Sequence, residues 1–207
     1  MAQSRAMKPN LVGRVASVIL GLMAAALTSL AKVPASDIHL TVRLYDYVNL
    51  PPNARSEVTA NTVRILGHAG ITVEFVECLA GGVKSDSEAC LAPLGPTDLV
   101  LRIFPPTLAK TGEELGNAIL GPGGGALITV YPRPARAVGL STGMMLGHGV
   151  AHEIGHLLLG VNAHSASGIM RPVMRQSDQE KMVKRWLLFD ADQTNRMRTA
   201  LIARASR

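Results

Sequence analysis

Apolar and polar side chains alternate through residues 38–45, with Ile38, Leu40, Val42 and Leu44 in phase, and a period of two predicts a strand. The period then changes. Residues 56–66 carry Val58, Val63, Ile65 and Leu66 at helical spacing and run into Gly67 and Gly70, which predicts a helix with a glycine stop. Residues 71–76 and 98–104 read as two further strands, the latter closed by Pro105 and Pro106. A glycine-rich turn at 121–125 leads into a fourth strand at 126–131, stopped by Pro132. From Thr142 to Leu159 the spacing is helical without interruption, with Ser141 or Thr142 as its N-cap. Ser177 with Glu180, and Asp190 with Gln193, have the form of capping boxes that open C-terminal helices. A strand, a helix, several strands and then helices describe an α/β or α+β domain.

The start of the chain stands apart from this pattern. Arg5, Lys8 and Arg14 occur there without an acidic residue, followed by an apolar run at 15–31 that ends on the small residues Ser29 and Ala31. This is the form of a secretory signal peptide, 1–31, which leaves 32–207 as the working domain. An uncleaved anchor is the alternative, since the run is at the short edge of what spans a bilayer. No second apolar run approaches that length. The expectation is therefore a secreted or periplasmic domain that is soluble and off the membrane once the signal is removed.

Charge and cysteine usage sharpen this only a little. Of the formal +6, three units belong to the signal. Residues 32–170 hold nine Lys/Arg against eleven Asp/Glu, whereas 171–207 hold nine against four, a net +5. Aromatic residues are only 3%, which leaves little to stack on bases and excludes a nucleic-acid module. The basic C-terminal stretch reads as a solvated helical face. Cys78 and Cys90, in an exported chain, are expected to form a disulfide, with two buried thiols as the alternative.

The chemistry concentrates at His152-Glu153-Ile154-Gly155-His156. Side chains four apart on a helix project side by side, so His152 and His156 can hold one Zn²⁺ and leave Glu153 beside it. A catalytic zinc needs a third protein ligand and an open position. Gly160 suits the end of the helix, and His164, just beyond the turn, can swing back to the metal. Three neutral imidazoles keep the double charge on zinc, which brings the pKa of a bound water to about 7. His148 lies one turn before His152, but three histidines along one straight helix span about 12 Å, too far for a common ion. It reads as a supporting or core histidine. Gly147, Ala151 and Gly155 form a small-residue stripe that lets another element pack closely.

His152-Glu-Ile-Gly-His156, Gly160, His164, Ser165 and Gly168-Ile-Met-Arg-Pro172 together resemble the metzincin metallopeptidases, especially the matrixin-like members. The likeness covers about residues 140 to 175. It implies an α+β, zincin-like fold: a small mixed twisted sheet with an antiparallel edge strand, a long zinc-binding helix and C-terminal helices. It implies zinc on His152, His156 and His164, Met170 in a methionine turn beneath the metal, and a peptide or protein as substrate. The family pattern has five residues between the second and third histidines, and here there are seven. One extra residue before Gly160 and one after it restore both roles. The expected reaction is hydrolysis of an internal peptide bond, with Glu153 as general base for a metal-activated water. Residues 126–131 are the candidate edge strand for an extended substrate.

Other readings compete. Gly139-Leu-Ser-Thr-Gly143 matches a serine-hydrolase elbow, but no histidine follows His164 and the preceding stretch is a poor strand. The glycines at 121–125 lack the Lys-Ser/Thr of a phosphate loop. Glu180 could replace His164 as third ligand, as in families with a glutamate there. A zinc-stabilised binding protein without catalysis is the last alternative, although structural zinc usually takes four protein ligands.

Overall fold

The structure is a computed structural model that describes residues 38–110, 115–121, 125–134, 139–160 and 163–207. The expected signal at 1–31, and parts of the expected turns at 122–124 and 161–162, lie outside the described residues.

The elements run β1 (His39–Asp46), α1 (Pro52–His68), β2 (Thr72–Ala80), β3 (Val83–Lys84), α2 (Glu88–Leu91), β4 (Asp98–Ile103), β5 (Gly116–Ile119), β6 (Leu127–Val130), α3 (Thr142–Leu159), α4 (Gln176–Val183) and α5 (Ala191–Ala205). Six strands form one mixed sheet in the order β3-β2-β1-β4-β6-β5. The four inner strands are parallel, and each edge strand is antiparallel to its neighbour. The α+β class and the antiparallel edge are as the sequence implies.

Alternation explains the packing. Leu40, Val42 and Leu44 of β1 and Leu99, Leu101 and Ile103 of β4 share one fully buried side of the sheet. They join Val58 and Leu66 of α1 and Leu146, Val150 and Ile154 of α3 in a single core. The sheet therefore carries α3 on its back, and α3 carries the histidines. The small-residue stripe serves two neighbours. A Cβ on Gly147 would lie 2.9 Å from the Val58 carbonyl of α1, and one on Gly155 would lie 2.5 Å from Met170 Sδ. Thr62 donates from Oγ1 to the Gly147 carbonyl at 3.1 Å, which closes the α1–α3 contact with a buried hydrogen bond.

The disulfide joins Cys78 of β2 to Cys90 of α2, with Cα atoms 5.5 Å apart. No helix among the described residues is long and apolar enough to cross a membrane.

Two expectations are corrected. Residues 126–131 are not the edge: β6 is paired on both sides, and β5, which the hydrophobic pattern does not reveal, lies outside it. The α4 cap is also shifted. Asp178 accepts from the Arg175 N–H at 3.0 Å, while Ser177 and Glu180 are exposed. Asp178 stands three residues after Arg175, so its short carboxylate reaches back to the orphan N–H that a box opened at Ser177 leaves uncapped. At α5 the box is as expected, Asp190 and Gln193 bonding reciprocally at 2.8 and 3.1 Å.

Candidate metal centre

Helix α3 begins at Ser141, whose hydroxyl accepts from the Met144 N–H at 2.9 Å. It ends at Gly160, where φ is 85° and the N–H still bonds to the His156 carbonyl. A positive φ of that kind suits glycine, and it ends the helix directly after the histidine face. Beyond it Ala163 is buried, and Ser165 donates its N–H to the Met170 carbonyl at 2.9 Å. His164 is thus held between two anchored neighbours.

The result is a convergence of three rings. His156 Nε2 lies 3.0 Å from His152 Nε2 and 3.1 Å from His164 Nε2. The three residues form a group that could hold a metal ion. Two zinc–nitrogen bonds of 2.0–2.1 Å at the tetrahedral angle put their nitrogens about 3.3 Å apart, close to what is seen. A shared cation suits the cluster better than hydrogen bonds among the rings do. His152 Nδ1 is 2.7 Å from the Ile169 carbonyl, which takes its N–H and leaves a lone pair on Nε2. His156 Nε2 faces two ring nitrogens and carries at most one proton, so it cannot make a separate, well-directed hydrogen bond to each, whereas one cation can take the lone pairs of all three. The donor set fits zinc.

Electrostatics agree. Burial holds the His152 pKa below the usual range; the Ile169 carbonyl pulls the other way less strongly, and the nearby His164 adds a smaller push downward. His156 is lowered to about 4, by burial first and by its two histidine neighbours second. Both are neutral near pH 7, the form a metal ligand requires.

Glu153 is 6% exposed and lines the same cavity of about 780 Å³ as the three histidines. Gly116 of β5 abuts it: a Cβ there would come within 3.0 Å of Glu153 Cγ. The cavity is lined by β5 with its approach, Leu115, Gly116, Asn117 and Ala118, and by Arg171, Pro172, Val173 and Met174. Met170 is fully buried and lies against Gly155, directly under the histidine helix, which is where a methionine turn would put it.

Two other candidates are not brought in. His148 is fully buried, with Nδ1 2.9 Å from the Met144 carbonyl, and it is outside the histidine group. Glu180 is exposed on α4 and is not in the group either. Sequence reasoning missed β5 and the arginines of the cavity, Arg133 and Arg171. One signal could have found the strand: some twenty residues between Phe104 and Ala126 are too many for a structureless connection in a compact domain.

Neither a protein-family model nor a curated protein sequence matches the chain. A solved structure does. Archaemetzincin from Methanopyrus kandleri superposes with a TM-score of 0.54 at 16% identity, covering 82% of this chain and 99% of that one. The fold is zincin-like. At that identity the likeness concerns the path of the chain and not its residues, and it extends well beyond the stretch at 140–175 to the sheet itself.

Proposed function

We propose that the protein is a zinc-dependent endopeptidase in which His152, His156 and His164 hold the metal and Glu153 is the general base. The observation that carries this reading is the meeting of three Nε2 atoms in one cavity with a buried glutamate from the same helix. The fold shared with archaemetzincin supports it.

A zinc ion bound there supplies a Lewis acid that makes water a nucleophile near neutral pH. The protein's own groups do the rest. Glu153, beside His152 on α3, takes the proton of the attacking water and delivers it to the leaving amine. The Ile169 carbonyl fixes the tautomer and direction of His152. The edge strand holds the substrate. Tyr131 donates its N–H to the Leu115 carbonyl, so 115 and 131, then 117 and 129, are the hydrogen-bonded pairs of the β5–β6 ladder. Gly116 and Ala118 therefore turn their N–H and C=O away from the sheet, free to pair with an extended peptide.

The reading includes export of the domain through residues 1–31, in keeping with the Cys78–Cys90 disulfide. Its test is Glu153→Gln. This variant is expected to bind one zinc as tightly as the parent and to lose peptide hydrolysis by a factor of about 10² or more. Undiminished hydrolysis by the variant, or by chelated parent protein, refutes the proposal. Chelation that unfolds a protein never able to cleave peptides would mark a structural zinc instead.

A further inference from the structure

With the histidines set aside, the charged side chains lining the cavity are Arg133, Arg171 and Glu153, so among the described residues there are two cations and a single carboxylate. Arg171 is fixed relative to the candidate metal centre. It follows Ile169, whose carbonyl is bonded to His152, and Met170, which lies against Gly155. Its side chain is 16% exposed. Among the described residues its one ionic contact is Nη1 to Asp178 Oδ2 at 3.5 Å, well beyond the 2.7–2.9 Å of a charge-assisted hydrogen bond. That same oxygen already accepts from the Arg175 N–H at 3.0 Å. Arg171 Nε is buried with no partner among the described residues. A guanidinium carries five donors in a planar fork. Neutralising Asp178 uses one edge of it at most, and the group otherwise stands under-satisfied at the wall of a cavity.

The surroundings favour an anion there. Buried Met145 and half-buried Met174 make part of the lining apolar, which strengthens charge pairing. Gly149 leaves room on α3, because a Cβ built on it meets nothing within 4 Å. Residues 171–207, with their net +5, add a long-range attraction for acidic chains.

We infer, resting on the peptidase reading, that the cavity selects a carboxylate of its peptide substrate through Arg171, with Arg133 adding positive potential. The carboxylate can belong to an acidic side chain or to the end of the peptide, and experiment separates the two. A single Glu is walked along an otherwise neutral octapeptide, with Gln and Lys versions at each position, and each peptide is made with a free or an amidated C-terminus. Fluorescence anisotropy then measures binding to the zinc-loaded Glu153→Gln protein. At one position Glu is expected to bind roughly tenfold tighter than Gln, and Lys weaker still. An effect of the free C-terminus without an effect of Glu assigns the carboxylate to the chain end. Arg171→Met is expected to bring the Glu/Gln ratio close to one, and Arg171→Lys to retain part of it. A merely structural Arg171 would lower all affinities together and leave the ratio intact. Arg133→Met is expected to reduce the ratio by a smaller factor, and it serves where Arg171→Met does not fold. Equal binding of all the peptides, or binding of none, overturns the inference. A clear carboxylate preference in a protein whose parent form cleaves nothing would leave the inference standing and remove the peptidase reading.

Discussion

His152 donates a hydrogen bond from Nδ1–H to the carbonyl of Ile169, 2.7 Å away and seventeen residues on. The bond ties the histidine helix to the segment that carries Met170 and Arg171. It also commits Nε2 to the lone pair that meets His156 and His164. One hydrogen bond thus sets both a tautomer and a tertiary contact.

The third donor is the first thing to test. His164→Ala is expected to weaken zinc binding by more than about 100-fold, beyond the range seen when only an outer-shell partner is lost. His148→Gln and Glu180→Ala are expected to stay within about twofold of the parent, because neither group joins the three histidines. Competition titration against a chromophoric chelator reads all three. Zinc binding undisturbed in His164→Ala but lost in Glu180→Ala would reverse the ligand assignment.

The edge strand makes a second prediction. Ala118 has an outward N–H, so Ala118→Pro removes a donor for substrate and none from the β5–β6 ladder. The expected outcome is a kcat/KM for peptides lower by about tenfold, the equivalent of one hydrogen bond, with the melting temperature and zinc affinity unchanged. An unaltered kcat/KM would mean that the substrate does not lie along β5.

His148 predicts a pH dependence of stability. Burial lowers its pKa from 6.5 to about 4, outweighing the Met144 carbonyl, which pulls the other way. As pH falls below about 6.5 the unfolded chain takes up a proton that the folded one refuses, so stability drops, and it goes on dropping until the folded pKa is passed. At 1.36 kcal/mol per pKa unit the loss is about 3 kcal/mol between those limits. Urea unfolding of metal-free parent and His148→Gln at several pH values isolates this share. Identical slopes in the two proteins would show that His148 carries none of it.

Reducing or deleting the Cys78–Cys90 bridge is expected to cost roughly 3 kcal/mol for a loop of this length. Denaturant midpoints of the parent and of the double Cys→Ala variant measure it. Free labelling of both thiols in the unreduced, unfolded protein would show that the bridge does not form.

The parts legible from sequence are those in which one residue pattern serves one purpose. The spacing of His152 and His156 is a property of any helix, and the run from Thr142 to Leu159 keeps helical spacing without interruption. The inner strands announce themselves because burial on one side enforces alternation, as in Leu99, Leu101 and Ile103. The edge strand β5 has no such constraint. Gly116, Asn117 and Ala118 are weak strand formers, held in place by pairing with β6 and by the close fit of Gly116 against Glu153. At α4 the box read from Ser177 and Glu180 gives way to one closed by Asp178, because the helix starts two residues earlier than that pattern implies. The path of the chain into Arg175 sets that start.

The interval from His156 to His164 acquires a different meaning once its ends are considered. Gly160 is bonded back to His156, Ala163 is buried, and Ser165 is bonded to Met170. The position of the third imidazole is set by these moorings and not by the number of residues between them. By loop-closure entropy alone, going from five residues to seven costs about 0.3 kcal/mol. An evolving chain can therefore gain or lose residues in this span nearly for free, while its three imidazoles stay in register.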